Sequence, residues 1–249
     1  MRNTVFLVLW VITIVTSCKP NNKIIASDDF EGDSLKALWR TDKFIPGALQ
    51  LQSDVVRNGK KACRLTLRPG DQIAEELGTI FERAEIRELN SLMADEDKTY
   101  SYSFSLFVPL DFPIDSTRLV IAQWKHNCQN SNCDPDNPVI AVRYESDRMF
   151  ITLQTDHKRN TLYEHPEIIR GKWLDFKFII HYTRKDEGRL NVWLNDRKII
   201  YYKGKTAYIE EFGYPYPGKF YFKTGLYRDK MDNTMTIYID DYLKEEIRE

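Results

Sequence analysis

The 249-residue chain has little glycine (11) and little proline (10), and neither gathers into a tract, so collagen-like and low-complexity architectures are excluded. Neither sign of charge prevails. A formal net charge of −1 excludes a polybasic nucleic-acid binder, although a balanced total still allows one locally positive cleft. After the first fifteen residues no apolar run approaches membrane length, there are no internal repeats, and no phosphate-binding loop or Ser/His/Asp pattern is present. What is present is a 42% hydrophobic fraction, enough for a packed core, and 13% aromatics led by 14 tyrosines. Residues 24–249 suit one large β-sandwich.

The N-terminus reads as a leader. Met1-Arg2-Asn3 supplies one positive charge, residues 4–15 (TVFLVLWVITIV) form a short apolar core, and Thr16-Ser17-Cys18 follows. This resembles the lipobox of bacterial lipoproteins, in which the cysteine is acylated and becomes the mature N-terminus. The resemblance implies a signal peptide over 1–17, a lipid on Cys18, a tether over 18–23 and a cell-envelope location, anchored to a membrane without spanning it. Ordinary secretion with an incidental Cys18 is the plainer alternative. In an oxidising compartment Cys128 and Cys133 are expected to bridge, since His126 and Asp134 complete a poor zinc set at this spacing. Cys63 reads as a buried thiol.

From there the hydrophobic period is two. Strands are expected over 48–56, 61–67, 83–89, 100–108, 118–125, 139–144, 149–154, 173–182, 189–194, 198–202, 219–227 and 234–242, with a tight hairpin at Asn195-Asp196. Helix signals are confined to 33–38 (DSLKAL) and, more weakly, 73–77. The fold class is therefore all-β, a two-sheet antiparallel sandwich of jelly-roll type.

Three strands carry chemistry on one face. Alternation puts Arg83, Glu85 and Arg87 together, then Gln123 with Lys125, then Tyr221, Lys223 and Tyr227, each set opposite core residues. A solvated outer face is the bland reading. Arg, amide and phenol are, however, the groups that bind and process carboxylates, and Gly225 between Lys223 and Tyr227 offers a place where a ligand approaches the backbone. Arg143 is expected to point into the same cleft.

Arg83-Ala84-Glu85-Ile86-Arg87, then Gln123-Trp124-Lys125-His126, then Tyr221-Phe222-Lys223-Thr224-Gly225-Leu226-Tyr227 resemble, in order and spacing, the motifs of jelly-roll polysaccharide lyases. Alginate lyases of that fold carry R-[ST]-E-[LV]-R, Q-[IV]-H and Y-F-K-A-G-x-Y. Glucuronan lyase and heparin lyase I look similar, and residues 28–71 look more like the heparin lyase I branch.

The resemblance implies β-elimination on an anionic uronic acid polysaccharide with no cofactor. The proton on C5 beside the carboxylate leaves, C4=C5 forms and the C4 glycosidic oxygen departs. Because that C–H is weakly acidic, neutralising the carboxylate lowers the barrier more than any other single interaction can. Arg83 and Gln123 match the family's neutralisers, with Arg87, Lys125 or Lys223 near enough to help, and Glu85, Arg143 and Tyr221 are further substrate-binding candidates. Tyr227 matches the tyrosine that donates to the leaving oxygen, and it could also serve as base.

The chain departs from the pattern at the histidine, because Lys125 stands two residues after Gln123 and His126 is one further on. His126 acts as base only if the strand ends or bulges there, and otherwise Tyr227 or Lys125 takes the role. Tyr214 and Tyr216 are candidates for a sugar-stacking wall, and His157-Lys158-Arg159 for a loop at the rim. His165 and His181 read as structural, and Asp240-Asp241 as a weak candidate for a structural calcium. A noncatalytic carbohydrate-binding sandwich is the alternative from another class. A glycoside hydrolase needs two acids about 5–10 Å apart in the cleft, and only Glu85 lies on the charged faces. The protein is expected to be monomeric.

Overall fold

The computed structural model describes residues 22–128, 133, 134 and 137–248; the leader and Cys18 lie outside them. In chain order the strands are β1 (Lys23–Asp28), β2 (Trp39–Arg40), β3 (Leu49–Gln52), β4 (Ala62–Leu67), β5 (Phe81–Glu88) and β6 (Ala94–Asp95). They continue with β7 (Thr99–Phe107), β8 (Leu119–His126), β9 (Ile140–Glu145), β10 (Arg148–Gln154) and β11 (Arg159–His165). The last are β12 (Trp173–His181), β13 (Arg189–Leu194), β14 (Arg197–Lys203), β15 (Lys219–Asp229) and β16 (Met235–Ile247). Two antiparallel sheets form the sandwich. One runs β14-β13-β12-β7-β16-β4-β3 with β1 also on β16, and the other runs β11-β10-β9-β8-β15-β5-β2 with β6 also on β15.

Alternation explains the layers. On β12, Leu174, Phe176, Phe178 and Ile180 point inward and are buried, while Asp175 and Lys177 point out. Between the sheets, the Trp124 ring on β8 lies 4.2 Å from Phe178 on β12 and 5.0 Å from Phe222 on β15. Each such ring buries about 150–250 Å², worth roughly 4–6 kcal/mol gross. One charged group also joins the sheets. Glu88, fully buried at the end of β5, accepts hydrogen bonds from Lys244 Nζ and Phe222 N, each at 3.0 Å, and from the Tyr242 hydroxyl.

The hairpin at Asn195-Asp196 forms with φ of 47° and 64°, and Ser146-Asp147 makes a second one with φ of 49° and 63°. Positive φ at both central positions gives the turn whose twist suits antiparallel strands, and Asn and Asp tolerate it. Cys128 and Cys133 are bridged, and Cys63 is buried and free, its thiol pushed up by burial.

Several expectations need correction. The 33–38 segment is not helical, because the Asp28 carboxylate accepts from Phe30 N at 2.9 Å and from Trp39 Nε1 at 2.8 Å. These bonds draw the chain across the core, with Leu35 and Leu38 packed against it. The 73–77 segment keeps one 3₁₀ turn, Ala74–Glu76. His157-Lys158-Arg159 is not purely loop, since Arg159 opens β11, and the strands β1, β2, β6 and β11 lie outside the expected set. β11 shows little apolar alternation, and backbone pairing with β10, from Met149 opposite His165 to Gln154 opposite Arg159, makes it a strand.

Candidate active site

The face of the β8-β15-β5 sheet turned away from the core carries a cleft. β5 contributes Arg83 and Arg87, β8 contributes Gln123 and Lys125, β9 contributes Arg143, and β15 contributes Tyr221, Lys223 and Tyr227. Strand register arranges them in rows. Lys223 is opposite Gln123 on one side and Arg87 on the other, so amide, ammonium and guanidinium lie abreast on three neighbouring strands. In the next outward-facing row but one, Tyr227 is opposite Arg83 and Val120, and Val120 is opposite Arg143. Tyr221 is opposite Lys125 on the other flank. Eight of the nine residues expected on this face therefore line the cleft together.

Glu85 does not line the cleft. It is 1% exposed and lies beneath, where Gln123 Nε2 donates to its Oε1 while Arg83 Nη1 stands 3.4 Å and Lys223 Nζ 3.8 Å from its Oε2. Expected as a substrate contact, it is instead the counter-charge under the cations. Gly225 is also corrected. It faces Glu85 across the ladder at φ 141°, and a Cβ there would meet Ala84 O at 2.2 Å. Glycine is required because the β5 backbone approaches it, not because a ligand does.

Burial and crowding shift the cations. Desolvation, with help from Lys125, Arg83 and Arg87 and against the pull of Glu85, pushes the Lys223 pKa down to about 8. Arg143 is lowered to about 10, first by burial and then by Arg159 and Arg118; its Nε donates to Thr152 Oγ1 at 3.1 Å. Arg87 is lowered by burial and lies 3.9 Å from the Tyr221 ring centroid. Tyr227 is flanked by two guanidiniums, Arg83 at 4.4 Å and Arg118 at 4.9 Å from its ring centroid.

His126 does not reach the cleft, which corrects its candidacy as base. β8 stays regular at that end, so His126 points the opposite way to Lys125, into a stack with Tyr214 at 4.4 Å, Phe220 at 4.5 Å and Tyr208 at 6.1 Å. It is 1% exposed, and burial, with Arg184 nearby, lowers its pKa to about 3. Tyr214 is buried in that stack, and the exposed Tyr216 donates to Asp97 Oδ2 at 2.8 Å, so neither forms a wall of this cleft. His157 pairs with Glu211 in a separate hollow. His165 contacts the Glu167 carbonyl and His181 contacts Thr99. Asp240 accepts from Arg57 N at 3.0 Å, and no group of three metal-ligating side chains exists among the described residues.

Three charged cleft residues are not legible from alternation. Arg118 has the wrong parity for a regular strand, but a bulge between Val120 and Ala122 resets the alternation and puts Val120 at the cleft. Glu76 comes from the single 3₁₀ turn Ala74–Glu76 and Lys43 from a loop, where no strand periodicity exists to read. Glu76 grips Arg83, with Arg83 Nε donating to its Oε2 at 3.0 Å and Nη2 meeting its Oε1.

Solved structures of similar fold include several lyases. An endo-β-1,4-glucuronan lyase from the fungus Trichoderma reesei is 16% identical with a TM-score of 0.66, over 84% of this chain and 90% of that one. An alginate lyase of polysaccharide lyase family 7 is 17% identical with a TM-score of 0.56, over 82% and 85%. A cellulose-induced protein is 13% identical with a TM-score of 0.58, over 88% and 96%. No curated protein sequence matches. The family model described as polysaccharide lyase matches residues 26–242, nearly the whole described sandwich, and the chain belongs to that polysaccharide lyase family.

Proposed function

We propose that this polysaccharide lyase cleaves a uronic acid polymer by β-elimination in the cleft over β8, β15 and β5. The observation that carries the reading is the register: Gln123, Lys223 and Arg87 lie abreast, with Tyr227 two residues along the strand from Gly225 and opposite Arg83. A uronate carboxylate laid on the first row meets the Gln123 amide N–H and the Arg87 guanidinium, which stabilise the enolate as C5 loses its proton. The Gln123 amide gives one N–H to Glu85 and carries a second with which to donate to the substrate.

A base has to accept the C5 proton. Lys223 is the group of the floor best suited, since its pKa near 8 leaves much of the amine neutral in mildly alkaline solution. The electron pair of the C5–H bond forms C4=C5 and the C4–O bond breaks. The departing oxygen takes the phenolic proton of Tyr227. Lys125, on the same face, holds the polymer beside Tyr221.

The Cys18 anchor and an envelope location belong to the same proposal, resting on the leader sequence alone. They place the enzyme where a large polymer can reach it. The test of function is near-ultraviolet absorbance of the purified 24–249 domain with heparin, heparan sulfate, hyaluronan, chondroitin sulfate, glucuronan and alginate. A rise from the unsaturated uronyl product on one polymer supports the reading. Binding without any rise favours a noncatalytic carbohydrate-binding role, which the loss of the family histidine from the cleft would explain.

A further inference from the structure

Charge in the cleft is distributed unevenly. Both guanidiniums that lie over the Tyr227 ring have a carboxylate of their own: Arg83 is held by Glu76 through two of its nitrogens and Arg118 Nη2 by Asp229, and Lys43 Nζ, also in the cleft, is paired with Glu75 at 2.6 Å. Arg87, beside Lys223, and Arg143, across Val120 from Tyr227, have no carboxylate partner among the described residues, and Lys223 shares Glu85 with Arg83. A uronate ring brings one negative charge and finds the uncompensated cations sufficient. A sulfated polymer brings more, and additional charges beside Arg83 and Arg118 meet guanidiniums already neutralised and carboxylates that repel them.

Glu76 is the centre of this arrangement. It takes the guanidinium edge in the side-on manner of a bound carboxylate, while the third arm of Arg83 turns to Glu85 and its face covers Tyr227. Its own turn is held by local bonds, Glu76 N to Ile73 O at 2.9 Å and Thr79 N to Glu76 O at 3.0 Å. The grip on Arg83 is thus a feature of the side chain, not a by-product of strand pairing. We propose that Glu76 is a specificity-determining residue that reserves Arg83 and restricts the cleft to uronans whose carboxylates are their only charge, rejecting sulfated ones. This rests on the uronate-lyase reading above.

The experiment compares kcat/KM on glucuronan and alginate with that on heparin and heparan sulfate, and the affinity of each polymer, for the wild type, Glu76→Gln and Glu76→Asp. The wild type is expected to favour an unsulfated polymer by at least about tenfold. Glu76→Gln should move the ratio toward the sulfated polymers by about tenfold, carried by KM, and Glu76→Asp should restore most of the selectivity. A wild type that prefers heparin, or an unmoved ratio in Glu76→Gln, overturns the proposal. So does a fall in kcat with KM constant, because Glu76 would then only position Arg83. If no polymer yields product, the lyase reading fails, and the ratio of binding affinities still decides the role of Glu76.

Discussion

Arg83 and Tyr227 face each other across the β5–β15 ladder, with the guanidinium 4.4 Å from the ring centroid. The residue expected to neutralise the substrate thus also packs the residue expected to protonate the leaving group. With Arg118 at 4.9 Å on the same ring, the phenol is held in one orientation before substrate arrives.

Tyr227→Phe removes the proton donor and leaves the ring packing in place. Turnover should fall by about 10²–10⁴-fold while polymer affinity changes little. The check is the initial rate of product absorbance in the near ultraviolet, alongside equilibrium binding. Full activity in a folded variant excludes Tyr227 from the chemistry.

Lys223 makes activity depend on pH with a definite sign. In the proposed mechanism the neutral amine is the base, and its population grows as pH rises through about 8. Below that value kcat/KM should climb about tenfold per unit and then level. Glu85 opposes this downward shift, and Lys125, Arg83 and Arg87 reinforce it, so Glu85→Gln should move the limb to lower pH. Lys223→Arg should abolish turnover, and Lys125→Arg should chiefly raise KM. The reverse pattern transfers the base to Lys125.

His126 should matter for stability and not for chemistry. Its folded pKa of about 3 lies below the unfolded value of 6.5, so the unfolded chain binds the extra proton between these limits. The contribution is fully present above pH 6.5 and is lost as the pH falls toward 3, by at most about 1.4 kcal/mol per pH unit. His126→Phe should keep activity and flatten the acid side of a urea-midpoint profile. A folded but inactive His126→Phe returns the histidine to the mechanism.

Glu88→Ala should cost about 3–5 kcal/mol in denaturant unfolding, because it strands the buried Lys244 ammonium 3.0 Å from a vanished partner. A change under about 1 kcal/mol contradicts the role given to that pair as the polar tie between the sheets.

Much of the site could be read from residue order. Alternation on β5, β8 and β15 sorts Arg83, Arg87, Gln123, Lys125, Tyr221, Lys223 and Tyr227 onto one face, and that face is the cleft. The same rule sends His126 to the core, where it lies. It fails where regularity fails, since the bulge at Val120/Ala122 brings that end of β8 to the cleft and Arg118 with it.

The all-β class and the jelly-roll arrangement were present in the period-two pattern and the turn residues, because each strand must bury one face whatever its neighbours are. Which residue neutralises which was not. Glu76 reaches Arg83 from a 3₁₀ turn, and Glu85 drops beneath Lys223 only because strands distant in sequence pair in this register. Periodicity is a property of a segment and reports the side a residue faces. Charge compensation is a property of distances between segments, and only the closed sandwich sets those distances.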